Sequence, residues 1–257
     1  VRILITNDDG INACGIKALV MALSSLGNLY VIAPSGERSA CGHGITIREP
    51  IKINKYDFPL ALEAWSVEGT PADCVKLGIT TLLKEKPDLV VSGINQGPNL
   101  GTDIFYSGTV SAAIEAILLG VPAIAISLAS HTSQDFSVAQ KTVKILSENM
   151  LKKELAPDTL LNVNVPALSL KNIKGFKVTK LGERKYINNF EHKKIGPNGT
   201  DYYLLTGQAV LPEKKEEDLD VIAVENGYIS ITPIHFDLTN YRIMEQIKQW
   251  GIENKGF

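Results

Sequence analysis

Two carboxylates stand side by side in Asn7-Asp8-Asp9-Gly10, directly after an apolar run at residues 2–6. Adjacent carboxylates repel, and a divalent cation relieves that repulsion; an Asp pair with neutral oxygens nearby suits hard Mg²⁺ or Mn²⁺ better than zinc. The same letters also spell a turn, with Asp-Gly bending the chain and Asp8 or Asp9 capping a helix. Ser35-Gly36-Glu37-Arg38-Ser39-Ala40-Cys41-Gly42-His43-Gly44 is a second polar, glycine-rich segment. Within it Ser39 can offer a neutral oxygen, whereas His43 has no partner at metal-ligand spacing and reads as structural or surface.

A third cluster runs from Ser92 through Gly93, Asn95, Gly97, Pro98 and Asn99 to Gly101, too rich in Gly and Pro for regular structure. Asn95 carries both an amide oxygen for a metal and an amide N–H for a phosphate, or is simply a turn Asn. The chain then reaches Tyr106-Ser107-Gly108-Thr109-Val110, a helix opening whose N–H groups and hydroxyls can receive an anion, or where Ser107 or Thr109 is the N-cap. Gly69-Thr70-Pro71-Ala72-Asp73 reads first as a capping box, with Pro at the first helical position.

These clusters need a scaffold that gathers them. Apolar runs predict buried strands at residues 2–6, 29–33, 88–92, 123–127 and 160–165. Helical patterns at 15–25, 72–86, 110–119 and 135–152 alternate with them. That order predicts an α/β fold with a doubly wound, mostly parallel sheet, whose working loops lie at the carboxyl ends of the strands. Residues 44–55 alternate apolar and polar side chains and predict an inserted β-ribbon. Past residue 165 the pattern changes to strand-like pieces at 175–180, 202–205, 220–224 and 228–232, a Lys-rich stretch, a charged loop at 213–218 and a closing helix at 240–250. The expected organisation is a core over residues 1–167 and a β-rich C-terminal oligomerisation arm over 168–257.

The chain has 257 residues, 44% hydrophobic and 21% charged, with a net charge of -2. Such a balance gives no overall attraction for nucleic acid, so no nucleic-acid coat is expected, and no apolar run approaches a membrane span. Three cysteines at wide spacing fit neither a disulfide framework nor a CxxC zinc site. A cytoplasmic protein without a leader is expected.

Neither the G-x-G-x-x-G of a dinucleotide fold nor the one-residue spacing of haloacid-dehalogenase aspartates follows the first strand, and a receiver domain would place an Asp where this chain has Ser92-Gly93-Ile94-Asn95. Taken together, ILITNDDG, APSGERSACGHGIT, VEGTPADCVKLGI, VVSGINQGPNLGTDIFYSGTVSAAIEA and GYISITPIH resemble the survival-protein SurE family of nucleotidases. The likeness spans about residues 3–235, dense in the first half and thin between 168 and 224.

The resemblance implies a Rossmann-like core and a metal site on Asp8, Asp9, Ser39 and Asn95 holding one Mg²⁺ or Mn²⁺ per subunit. It also implies a phosphate region around Gly42, Gly44, Asn95, Asn99, Ser107, Gly108 and Thr109, and a catalytic group of Asp8, Asp9, Asn95 and Ser107. The implied activity is removal of phosphate from nucleoside 5′- and 3′-monophosphates, with short polyphosphate as a further substrate, by a homodimer or homotetramer that exchanges C-terminal extensions. Attack by water is the expected route, and an Asp acting as nucleophile or general base stays open. A nucleotide sensor with the same fold and no turnover is the main rival.

Overall fold

A computed structural model of the chain describes residues 1–153, 155–156, 158–196, 199–210 and 216–254. The elements along the chain are β1 (Arg2–Thr6), α1 (Cys14–Leu23), β2 (Asn28–Pro34), β3 (Ile53–Lys55), β4 (Glu63–Val67) and α2 (Pro71–Leu77). They continue with β5 (Leu89–Gln96), α3 (Gly108–Leu118), β6 (Ala123–Ala129), α4 (Ser137–Met150) and β7 (Leu160–Pro166). The last third contributes β8 (Phe176–Val178), β9 (Lys185–Ile195), β10 (Asp201–Val210), α5 (Asp220–Glu225), β11 (Ile229–Ile234) and α6 (Tyr241–Lys248).

Nine strands form one sheet in the order β3-β4-β2-β1-β5-β6-β7-β11-β8. The six central strands, β4 to β7, are all parallel. Both faces of such a sheet must be covered, so its strands are apolar on both sides. One face packs Ile3, Ile5, Val31 and Val91 with Ile16 and Leu19 of α1 and Val143 of α4; the other packs Leu4, Ile32 and Val90 with Val75 of α2 and Ala113 of α3. The doubly wound α/β expectation holds. Strand order reverses at β1, which lies between β2 and β5, so the crevice beyond the carboxyl ends of β1 and β5 is the topological switch point of the sheet.

Four expectations change. Residues 44–55 do not form an inserted ribbon: only β3 is extended, and it pairs antiparallel with β4 at the sheet edge. The earlier part of that segment finds its partners in the capping box of α2, with Thr46 donating N–H and hydroxyl to Asp73 (3.0 and 2.7 Å) and the Gly44 carbonyl accepting from Thr70 Oγ1 at 2.7 Å. The helix expected over 72–86 stops at Leu77 and continues as a wider turn at Gly78–Leu82, closed by Leu83 N–H onto the Gly78 carbonyl at 3.1 Å. Gly78 sits against the sheet, where a Cβ would come within 2.8 Å of Ile32 Cδ1.

Residues 220–224 are helix, not strand. Asp220 through Ala223 are all buried, and a short run buried all round carries no periodicity that separates the two. Finally, β4 carries no clear strand signal in the sequence, because Glu63-Ala64-Trp65-Ser66-Val67 is brief and polar-interrupted.

The sheet does not break near residue 167, since β11 pairs antiparallel with β7 and β8 pairs with β11. Among the described residues only β9 and β10 stand outside it, as a separate two-stranded antiparallel ribbon. The closing helix is present as α6, with none of its residues buried. Of the charged loop expected at 213–218, residues 213–215 lie outside the described residues. Among the described residues no helix is long and apolar enough to cross a membrane.

Candidate active site

The turn after β1 is built by its own side chains. Asn7 Nδ2 donates to the Gly10 carbonyl at 2.9 Å, and Gly10 adopts φ +94°, where an L-residue is strained. The turn is also gripped from outside: Arg38 N–H donates to the Asp8 carbonyl at 2.7 Å, and Ile11 N–H to the Pro34 carbonyl at 2.8 Å. The loop after β2 is thus locked onto the turn after β1 by backbone bonds that sequence spacing cannot show.

Asp8 is almost entirely enclosed, at 6% exposure. Its carboxylate accepts from Thr109 twice, from the backbone N–H at 3.1 Å and the hydroxyl at 2.5 Å, which seats it on the positive end of α3. Burial raises its pKa to about 6 against these bonds, with the charge of Asp9 adding to the rise. Burial also raises Asp9, opposed by the Gln96 N–H that donates to Asp9 Oδ2 at 3.2 Å and assisted by Glu37. Among the described residues no Lys or Arg forms an ion pair with either carboxylate. Two crowded acids without a cationic side chain are a site that gains from a positive ion.

The neutral oxygens expected nearby line the same cavity and keep acceptor capacity. Asn95 Nδ2 donates to the Gly97 carbonyl at 2.8 Å, which commits the amide nitrogen and leaves its oxygen available. Ser39 gives its hydroxyl proton to Glu37 Oε1 at 2.5 Å, leaving the oxygen lone pairs. Among the described residues no group of three or more His, Cys, Asp or Glu side chains could hold a metal. A cation at this turn would therefore rest on two carboxylates and neutral oxygens, the donor set of Mg²⁺ or Mn²⁺.

Asp8, Asp9, Ser39, Asn95, Asn99 and Ser107 line one cavity of about 590 Å³. Ser107 is the N-cap of α3, accepting from Val110 N–H at 3.1 Å, so its own hydroxyl proton is what it can offer an anion. Asn99 borders the cavity as an anchor: its side-chain amide donates to Ser127 Oγ at 2.8 Å and its carbonyl accepts from Asn162 and Asn164, each at 2.9 Å.

The other residues proposed for phosphate are not on the cavity wall. Thr109 is fully buried and spends both donors on Asp8. Gly42 N–H goes to the Tyr106 carbonyl at 3.1 Å, and Gly44 faces α2 through Thr70. Gly108 is required by packing, since a Cβ there would lie 2.8 Å from Asp8 Cβ and 3.0 Å from Cys41 Sγ. His43 is structural: its ring meets the buried carboxylate of Glu115 at 2.9 Å, and Lys76 holds the other oxygen at 2.8 Å.

Glu37, Asp103, Tyr106, His131, Tyr186 and Leu205 also line the cavity, and spacing did not reveal them. Tyr106 stood inside the helix-opening motif, but Tyr186 and Leu205 belong to the β9–β10 ribbon, far along the chain in a stretch with no chemical signature.

The family model described as Survival protein SurE matches residues 3–188. A protein named 5′-nucleotidase SurE from Heliobacterium modesticaldum is 50% identical over 250 residues, covering 97% of this chain and 91% of that one. One of the same name from Pelotomaculum thermopropionicum is 52% identical over 249 residues, covering 96% and 94%. Among solved structures, the SurE protein from Aquifex aeolicus superposes with a TM-score of 0.85 at 44% identity, covering 98% of this chain and all of that one.

Proposed function

The chain belongs to the survival protein SurE family, and on that premise we propose that it is a metal-dependent phosphomonoesterase that hydrolyses nucleoside monophosphates to nucleoside and phosphate. The observation that carries the reading is the Asp8–Asp9 pair, Asp8 buried and Asp9 half-buried, which lines one cavity together with Ser107 at the opening of α3. The name 5′-nucleotidase carried by its relatives supports the 5′-ester. Action on 3′-esters and on short polyphosphate is part of the same proposal and rests on the family likeness.

Asp8, Asp9, Ser39 and Asn95 would hold one Mg²⁺ or Mn²⁺, which when bound would supply positive charge against the phosphate and make a water more acidic. Thr109 holds the Asp8 carboxylate in one orientation, and the Gln96 N–H does the same for Asp9. Asn95 is fixed by the Gly97 carbonyl, so its oxygen needs no reorganisation when substrate arrives. Ser107 donates its hydroxyl proton to a phosphoryl oxygen, and the amide end of α3 favours the charge that develops there. Water is the attacking group in this reading, because Asp8 is engaged by two donors and is poorly disposed to attack phosphorus.

A homodimer or homotetramer is part of the proposal. In α6 the side chains of Tyr241, Ile243 and Met244 are exposed, and the β9–β10 ribbon exposes Ile187, Phe190, Tyr203 and Leu204. An isolated two-stranded ribbon and an uncovered amphipathic helix are marginal in water, which supports a second subunit covering them. An apolar cavity of about 720 Å³, lined by Phe105, Ile114, Leu118, Phe236 and Leu238, is a further surface for that contact. The three free thiols support a cytoplasmic setting.

The test is phosphate release from a panel of nucleoside 5′- and 3′-monophosphates after chelation and single-metal add-back. Turnover restored by Mg²⁺ or Mn²⁺ is expected. Nucleotide binding without phosphate release under any metal would instead establish the sensor.

A further inference from the structure

Resting on the nucleotidase reading, the cavity has lining residues that the phosphate chemistry does not use. Among them Tyr106 and Leu205 are mostly exposed, at 69% and 56%, and Tyr186 is 40% exposed. Large aromatic side chains left open beside a cluster of carboxylates need a reason, and Tyr186 is not loose. Its hydroxyl donates to Asp103 Oδ2 at 2.6 Å, and the Arg184 guanidinium lies 5.5 Å from its ring centroid. Arg184 also pairs with Asp103 Oδ2 at 2.5 Å, and its carbonyl accepts from Thr102 Oγ1 at 2.9 Å.

These contacts staple the start of β9 onto the 3₁₀ turn Gly101–Phe105, and that turn runs directly through Tyr106 into Ser107. The aromatic ring and the anion-receiving helix start are thereby held by one short, continuous piece of chain. Electrostatics agree with this use. Arg184 balances Asp103, so the staple adds no net negative charge against an anionic substrate. A planar aromatic group stacks on any base without reading its edge, and a ring already held in place loses little freedom on binding.

We propose that Tyr186, with Tyr106 in the same cavity, forms the face on which the substrate's nucleobase packs, and that the Asp103–Arg184 pair is the positioning device that holds it. The enzyme would then prefer nucleoside monophosphates over sugar phosphates through these lining residues, without strong discrimination among bases.

The experiment compares wild type, Tyr186→Ala, Tyr186→Phe and Asp103→Asn on adenosine 5′-monophosphate and on ribose 5-phosphate, which lacks the base, with circular dichroism as the fold control. Tyr186→Ala is expected to raise KM for the nucleotide about tenfold while changing KM for ribose 5-phosphate less than about twofold. Tyr186→Phe keeps the ring and should recover most of the loss. Asp103→Asn should raise the nucleotide KM to an intermediate degree.

Binding of adenosine itself, followed by calorimetry on the metal-free protein, gives a readout independent of turnover, and it should weaken in Tyr186→Ala and return in Tyr186→Phe. Equal losses on both substrates, or unchanged adenosine binding in a folded Tyr186→Ala, would overturn the proposal while leaving the phosphatase reading intact. Wild type that hydrolyses neither substrate would overturn that reading, and the base platform with it.

Discussion

Thr109 gives both of its donors to Asp8, the N–H at 3.1 Å and the hydroxyl at 2.5 Å, across 101 residues of chain. That pair of bonds joins the turn after β1 to the first turn of α3, so the acidic pair and the start of that helix are held to each other. An interaction that couples two parts of a site this closely has consequences for stability, pH response and turnover together.

Thr109→Val keeps the shape and removes the hydroxyl from a buried carboxylate. Leaving a buried acceptor short of a partner should cost about 1–3 kcal/mol in urea denaturation. Turnover should fall as Asp8 gains freedom, and a variant as stable and active as wild type would show that the bond contributes nothing.

Asp8→Asn should reduce phosphate release by about a hundredfold or more, and Asp9→Asn likewise. In the metal-free protein Asp8→Asn has an opposite effect on stability. Burial, opposed by Thr109 and assisted by Asp9, places the Asp8 pKa near 6, above the ordinary 3.8. The folded state therefore holds this proton more tightly than the unfolded state, so stability falls as pH rises through that interval and stays lower above it. Removing the charge should raise stability at pH 8 by up to about 3 kcal/mol and change little at pH 4. Thermal melts in chelator across that range decide it; a pH-independent difference would contradict the cause given.

Metal should stabilise what it binds. Millimolar Mg²⁺ or Mn²⁺ well above its dissociation constant is expected to add on the order of 2–3 kcal/mol to wild type, seen as a higher melting temperature. Neither Asp8→Asn nor Asn95→Ala should gain as much. Equal shifts in all three proteins would place the ion elsewhere.

Ser107 has two roles that a pair of substitutions separates. Ser107→Ala removes the N-cap of α3 and should cost about 1 kcal/mol, whereas Ser107→Asn keeps a capping oxygen and should cost little. Both remove the hydroxyl donor, so both should lower kcat. Turnover lost only in the Ala variant would make Ser107 a cap and nothing more.

Glu115 offers a test away from the chemistry. The His43 hydrogen bond, working against burial and helped by Lys76, holds its pKa below the ordinary 4.5. A lowered acid stabilises the fold fully above that ordinary value, and the contribution disappears as pH falls through the folded pKa. Glu115→Gln should therefore cost about 1–2 kcal/mol at pH 7, since His43 and Lys76 can partly rehydrate, and the gap to wild type should narrow below pH 4.5. A gap that persists into acid would assign the cost to packing instead.

Much of this was legible from one sequence because it depends on local signals. The parallel strands β1, β2, β5, β6 and β7 announced themselves as apolar runs, since a strand buried on both faces has nowhere to put a polar side chain. The capping box of Thr70 and Asp73 needed only three residues of spacing, and the structure forms it as read. Asp8 and Asp9 directly follow β1, Ser39 follows β2 and Asn95 stands at the end of β5, so three neighbouring parallel strands bring the set implied by the family likeness to one end of the sheet.

Tertiary structure decided what sequence spacing leaves undetermined, namely where each donor goes. Thr109 at a helix start looked ready for phosphate, yet it serves Asp8, because the nearest buried charge outcompetes a ligand for a donor enclosed with it. The Gly42 N–H goes to the Tyr106 carbonyl, and the Gly44 carbonyl accepts from Thr70. Asp220 looked like part of a strand and became the acceptor that ties Gly101 and Gly182 together, each N–H at 2.8 Å. Tyr186 reaches the cavity only because the ribbon after β8 folds back across it. The acidic turn and the α/β scaffold were determined by the sequence itself, through local patterns of charge and burial. The division of labour around that turn is a matter of long-range packing, where partners 60 to 120 residues apart compete for the same few hydrogen bonds.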